Sequence, residues 1–305
     1  MFLIITHNTY NIMNRKQCIN VVRAINDLQA IKGLLTDCIN ESPAALDKRG
    51  TWQYYAEKML SYLEGDLSGI PPFSIFAEKG NKKLPFAAFS SLALADCPGK
   101  GDCVNFCYSL RAWRYPAAFF RQLQNSLLMR LNPEVIEKAF LSLKTGRTVR
   151  LFVDGDFKDV KTLKMFMELC KARPDLKVYG YSKSWLEFVK LDSTGYQWPS
   201  NYLTNASSGS RHERTGLANA FLSLPVVRGD FLAVKVDKAH INKRAYQDKT
   251  KAGSKEYRRD VLAKLRQIQT KAFACPGNCG NCLPQGRHAC GSKDFAGVAI
   301  GIGIH

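Results

Sequence analysis

From about residue 73 onward, short apolar runs alternate with amphipathic helical stretches, and this alternation constrains the fold more than any other feature of the 305-residue chain. Phe73 to Ala77, Thr148 to Val153, Lys177 to Tyr181, Tyr202 to Ala206, Phe231 to Val236 and Gly297 to Ile304 read as strands. Helical periodicity fills the intervals around 117–143, 158–172 and 185–191, and a basic helix is expected at about 254–271. Strand, crossover helix, strand is the signature of parallel units joined by right-handed connections. The expected class is α/β: a full or partial β/α barrel with parallel strands, in preference to an open doubly wound sheet.

Residues 17–64 have a different texture. Two helical patterns run through Val21, Val22, Ile25, Leu28, Ile31 and Leu34 and through Trp52, Tyr55, Met59 and Leu63, and the charge is nearly balanced. This predicts a helical extension over 1–68, closed by the turn Gly69-Ile70-Pro71-Pro72, ahead of a β/α domain over 73–305. The apolar start, Met1 to Thr6, is too short for a signal-peptide core, and no stretch approaches the roughly 18 apolar residues of a membrane span. The expectation is a cytoplasmic protein with no membrane partner.

In a reducing compartment, clustered cysteines read first as metal ligands or catalytic thiols. The chain has ten cysteines. Cys18, Cys38 and Cys170 sit inside apolar helical patterns and read as buried hydrophobes. The other seven fall into two loops: Cys97, Cys103 and Cys107 within 97–107, and Cys275, Cys279, Cys282 and Cys290 within 275–290. Gly/Pro-bent loops let thiolates converge on a soft metal and let backbone amides reach the sulfurs. The first spacing fits neither a zinc knuckle nor a ferredoxin run, and suits an iron-sulfur cluster with one iron left open. The second offers a complete four-cysteine set in a C-terminal metal-binding segment, for which spacing leaves zinc and iron-sulfur both open. His288 reads as a local structural histidine beside it. Both groups meeting on one cluster is a further alternative.

In β/α folds chemistry gathers at the C-terminal ends of strands. Three such ends carry Asp154-Gly155-Asp156, Ser182-Lys183 and Asn205-Ala206-Ser207. Asp154, Asp156 and Lys183 are the expected acid/base groups, with Gly155, Ser182, Asn205 and Ser207 lining a cofactor pocket.

The combination of CPGKGDCVNFCY, VRLFVDGDF, ARPDLKVYGYSKSW and CPGNCGNC, with a short C-terminal strand, resembles the phage and plasmid proteins called gene-product-88-like, over roughly residues 73–305. The resemblance implies a mobile-element origin and a metal centre, and no particular reaction. A more distant similarity is to radical S-adenosylmethionine enzymes, which set three cysteines, with an aromatic residue before the last, in a loop after the first strand of a partial barrel. Phe106 precedes Cys107 here, and a DGD tip follows a strand, although the cysteine spacing departs from that family's pattern. That similarity would imply a four-iron, four-sulfur cluster and S-adenosylmethionine.

Lys+Arg 44 against Asp+Glu 26 give a net charge of +18, and the excess concentrates at 240–271. On the helix expected there, Lys255, Arg258, Arg259, Arg266 and Lys271 project toward phosphate, while Val261, Leu262, Leu265 and Ile268 face inward. A second basic and aromatic mixture follows the first cysteine loop, with Arg111, Trp113 and Arg114 as contacts and Phe119, Phe120 and Leu123 as core. No helix-turn-helix, zinc-finger or P-loop spacing occurs, so affinity without a base code is expected, for DNA rather than RNA. Together these features predict an iron-sulfur protein that binds nucleic acid, with redox or radical-type chemistry at the cluster. The alternative is a non-catalytic DNA-binding protein with a structural four-cysteine zinc site.

Overall fold

The computed structural model describes residues 15–41, 43–46, 48–81, 83–237, 239, 252–277, 279–280, 282–283 and 287–304. His7, His240, His305, Gly286 and the basic stretch 243–251 lie outside them.

Three helices come first: α1 (Arg15–Arg23), α2 (Leu28–Asn40) and α3 (Trp52–Glu64). Asp27 and Thr51 cap the last two through side-chain bonds to the amides of Ala30 and Tyr54. After β1 (Phe76–Ala77) and β2 (Ala87–Phe89) the chain runs through α4 (Ser109–Ala112), α5 (Pro116–Leu131), α6 (Pro133–Leu141) and β3 (Thr148–Leu151). It continues as α7 (Val160–Ala172), β4 (Lys177–Ser182), α8 (Trp185–Asp192), β5 (Tyr202–Ser207), α9 (Leu217–Leu222), β6 (Val227–Lys235), α10 (Ala252–Arg266), β7 (Ala272–Ala274) and β8 (Ala299–Ile304).

The strands form one eight-stranded mixed sheet in the order β1-β2-β3-β4-β5-β6-β8-β7. Only the β1–β2 pair is antiparallel. From β2 to β6 each parallel strand is added on the same side, and right-handed crossovers then place the connecting helices on one face, while β8 enters between β6 and β7. Closing a barrel requires the end strands to pair, and pairing among the described residues ends at β1 and β7.

That helical face is sealed by the main core, in which Phe89, Val149, Leu151, Val178, Tyr202 and Ala206 meet Phe120, Phe140, Phe166 and Phe188. The N-terminal helices share this core, with Trp52 of α3 lying 5.6 and 5.7 Å from Phe119 and Phe120 of α5. Cys18, Cys38 and Cys170 are buried within it, as expected. The helical stretch expected over 117–143 is two helices, because Pro133 forces Asn132 out of the α region and starts α6 at its first turn. On the opposite face Phe86, Tyr179, Tyr181, Leu203, Phe231, Phe273 and Ile300 form a second apolar layer, against which Cys275, Cys282, Leu283, Ala289 and Cys290 pack. No helix among the described residues is long and apolar enough to cross a membrane.

Candidate metal centre and strand-tip site

The first cysteine loop lies across the C-terminal tips of β4 and β5. Gly99 packs so closely on the Lys183 carbonyl that a Cβ would collide with it. Lys100 and Ser210 form an isolated antiparallel bridge, the Arg211 amide donates to the Gly99 carbonyl (3.0 Å), and the Cys103 amide donates to the Gly209 carbonyl (3.2 Å). Cys103 lies in the 3-10 turn Asp102–Phe106 that Cys107 ends, and Cys97, Cys103 and Cys107 are each half-buried with free thiols. Burial pushes the Cys97 thiol up, and the neighbouring Asp156 carboxyl adds to the shift.

At the β3 tip the chain turns through Phe152, whose φ of 51° lies in the left-handed region that a bulky residue rarely adopts. Phe89, Phe157 and Phe166 hold its ring in place. Asp154 accepts from the Ser109 hydroxyl at 2.6 Å, and burial raises its pKa against that bond and the Arg150 charge. Asp156 is 3% exposed and accepts from the amides of Phe157, Lys183 and Ser184 and from the Ser182 hydroxyl. Its two oxygens thus tie the β3 tip to the β4 tip, and burial raises its pKa in spite of these donors.

Ser182 and Asn205 are buried and bonded within the protein. Asn205 donates to the carbonyls of Gly180 and Cys290 and accepts from Arg228 Nε. The half-buried side of the tip is formed by Asp154, Lys183 and Ser207, with Lys183 Nζ donating to the Ser207 hydroxyl at 2.7 Å. Gly155 packs against Ser91 behind the tip.

The second loop lies on the aromatic layer. Cys275 Sγ accepts from the Gly277 amide and Cys282 Sγ from the Ala289 amide, both at 3.4 Å. Burial pushes the Cys275 thiol up and the Cys290 thiol to about 12; nearby cysteines add to both shifts, while Tyr181 and Arg228 ease that of Cys290. His288 lies between Phe86 and Tyr179, with ring centroids at 4.8 and 4.3 Å, and its pKa is lowered to about 4 by burial and then by Lys177 and Arg150. Among the described residues, no group of three or more His, Cys, Asp or Glu stands in an arrangement that could hold a metal ion. Cys107 packs on the helical-face core and Cys275, Cys282 and Cys290 on the opposite aromatic layer, and the described cysteines close no ligand shell.

Arg228 is 2% exposed and bonds the carbonyls of Asp230, Phe295 and Val298 as well as Asn205. It and Arg150 are the polar residues of this face that periodicity alone did not single out. A lone arginine in a short strand pattern reads as solvent-facing until the covering loop is known.

Of the basic contacts, Arg111 and Arg114 are exposed, as are Lys255, Arg258, Arg259 and Arg266 on α10 and Lys271 beyond it. Trp113 is a correction: it is 2% exposed, its indole donates to Gln122 and its ring meets Phe119 edge-on, so it belongs to the core. The exposed aromatic residues of that stretch are Tyr108 and Tyr115, at 55% and 56%, with Arg114 stacked over Tyr115 at 4.9 Å. Val261 and Leu265 face inward on α10, whereas Ile268 is 68% exposed because the helix ends at Arg266.

No curated protein and no solved structure matches this chain. The family model for gene product 88 matches residues 73–296, a span that takes in both cysteine loops, the three strand tips and α10. The match leaves out the N-terminal helices and is consistent with a phage or mobile-element protein, and on it the chain belongs to the gene product 88 family.

Proposed function

We propose that this protein is a mobile-element metalloprotein that binds an iron-sulfur cluster through Cys97, Cys103 and Cys107 and nucleic acid through its basic surface. The observation carrying the reading is the seating of the 97–107 loop. Main-chain bonds to Gly99 and Cys103 clamp it on the tips of β4 and β5, with half-buried thiols of which Cys97 lies within reach of the Asp156 and Lys183 charges. Function in parallel sheets concentrates at that end. In this reading Asp156 is a positioning residue, because its oxygens are taken by the β4 tip, and Asp154 and Lys183, each bonded to one side-chain hydroxyl, are the groups that exchange protons with a ligand. A cluster there supplies redox or radical-type chemistry when bound. Tyr108 and Tyr115 replace Trp113 as the stacking partners beside Arg111 and Arg114.

The 275–290 set favours a second reading, a structural zinc site in a DNA-binding protein, because amide bonds to Cys275 and Cys282 sulfurs are the kind that stabilise metal-bound thiolates. Anaerobic purification with iron, sulfide and zinc quantification decides between them. Iron and sulfide that disappear in C97S/C103S/C107S and persist in C282S support the first reading; zinc alone, lost only in C282S, supports the second. Metal-free protein after anaerobic reconstitution overturns both. Nucleic-acid binding is checked by salt titration: R258E/R259E on α10 should weaken binding to duplex DNA and reduce the salt slope by about two.

A further inference from the structure

We infer that Arg150 is an anion-binding residue, which takes a carboxylate or phosphate group of a small ligand on the face of the sheet between the two cysteine loops. Arg150 lies in β3 opposite Tyr179 of β4, on the side away from the crossover helices. Its guanidinium carbon stands 4.4 Å from the Tyr181 ring centroid, so one flat face is covered. Its Nε is buried with no hydrogen-bond partner, and the groups nearest its charge are the side chains of Tyr181, Tyr108, Tyr179 and Cys279. The half-buried Asp154 feels its charge without pairing with it. A cation–π contact offsets only part of the cost of a buried N–H without an acceptor.

Three features set the ligand class. With a face on Tyr181, the guanidinium presents its edge, and edge-on binding selects an acceptor with two oxygens in a fork. The residue is half-buried while its Nε is not exposed, so an approaching anion meets the Nη nitrogens first. Tyr181 is itself held by Phe231 at 4.5 Å, which fixes the guanidinium in place before a ligand arrives. Arg228 on the same face shows the contrast: each of its nitrogens has an acceptor from the protein, as a structural arginine requires. The inference does not depend on either cysteine group holding metal.

The test uses the full chain as purified, with arginine labelled by nitrogen-15, and follows the Nε–Hε resonance assigned to Arg150 by its absence from R150K. Inorganic phosphate and acetate are titrated separately, each against chloride at equal ionic strength. A saturable shift with phosphate, acetate or both, weakened at least about tenfold in Y181L, is the expected result, and the stronger of the two identifies the ligand group. R150Q replaces R150K for assignment if the lysine variant does not fold. A resonance that stays in place, or that follows chloride equally, overturns the inference. So does one that moves only when metal is removed, since the acceptor is then the thiol site.

Discussion

Loop 97–107 sits at strand tips among carboxyl groups, whereas loop 275–290 lies across the middle of the sheet among aromatic rings and arginines. Around the first are Asp96, Asp154 and Asp156, with Lys183 beside Cys97 and Arg150 reaching Tyr108 from the sheet. Around the second are Arg150 and Arg228, with Tyr179 and Tyr181. The first loop leaves its sulfurs at an edge where a ligand can enter. The second completes a buried layer whose polar atoms are joined through Asn205 and Arg228. An edge site suits chemistry and a covered layer suits structure, and the comparison can be broken or sharpened at single residues.

The largest expected effect separates the two seats. Gly209 and Gly280 have nearly equal positive φ, 79° and 81°, so alanine carries about the same backbone strain of 1–2 kcal/mol at each. They differ in what a Cβ meets: the Cys103 amide nitrogen at 2.6 Å for Gly209, the Pro85 side chain at 3.0 Å for Gly280. Backbone cannot yield as a ring can. G209A should lose about 3–5 kcal/mol in denaturant unfolding and G280A about 1–2. Equal losses would mean that the 97–107 loop is not rigidly clamped.

Next come the two buried polar joints. N205A removes the donor to the Gly180 and Cys290 carbonyls and the acceptor of the buried Arg228, at a cost of about 2–4 kcal/mol. D156N turns one acceptor into a donor facing amides and should cost about 1–3 kcal/mol. Limited proteolysis distinguishes them, N205A opening cleavage within 287–298 and D156N within 97–107.

The central strands were legible in the sequence because β3, β4 and β5 are apolar runs that burial on two faces demands, and their tips stood out by polarity. β2 and β7 went unread. Each is three residues, Ala-Ala-Phe and Ala-Phe-Ala, with no β-branched residue and no alternation to set them apart from loop. The cysteine grouping was visible as spacing, but spacing carries no information on which face of the sheet receives each loop. That depends on residues 287–304 returning to Asn205 and Arg228, 85 and 67–70 residues earlier in the chain. Trp113 misled for a related reason: local aromatic and cationic composition looks the same whether the ring faces solvent or, as here, Phe119.

A smaller effect follows the carboxyl at the open edge. Burial raises Asp154 above its unfolded value. A carboxyl raised in the folded state contributes stability that is fully present below the unfolded pKa and is lost as pH rises through the folded one. D154N keeps an oxygen for Ser109 and never ionises. Its stability relative to the parent should rise from pH 4 toward neutrality and then level off, as read from urea midpoints across pH. A flat difference would show Asp154 to be freely solvated.

The smallest effect tests the charge contrast at the sulfurs themselves. In metal-free folded protein at pH 8, Cys290, 6% exposed and raised to about 12, should alkylate far more slowly than an open thiol, since the thiolate fraction falls tenfold per unit. Cys97 is sheltered as well, but part of its shift comes from Asp156, whereas Cys290 has Arg228 working in the opposite sense. Neutralising the carboxyl should therefore separate them: D156N speeds iodoacetamide labelling of Cys97 several-fold and leaves Cys290 unchanged, measured by time-resolved peptide mass spectrometry. Cys290 also reports on global opening, which would accelerate both. Parallel acceleration would trace the slow reaction of Cys97 to burial alone and remove the carboxyl from the contrast between the loops.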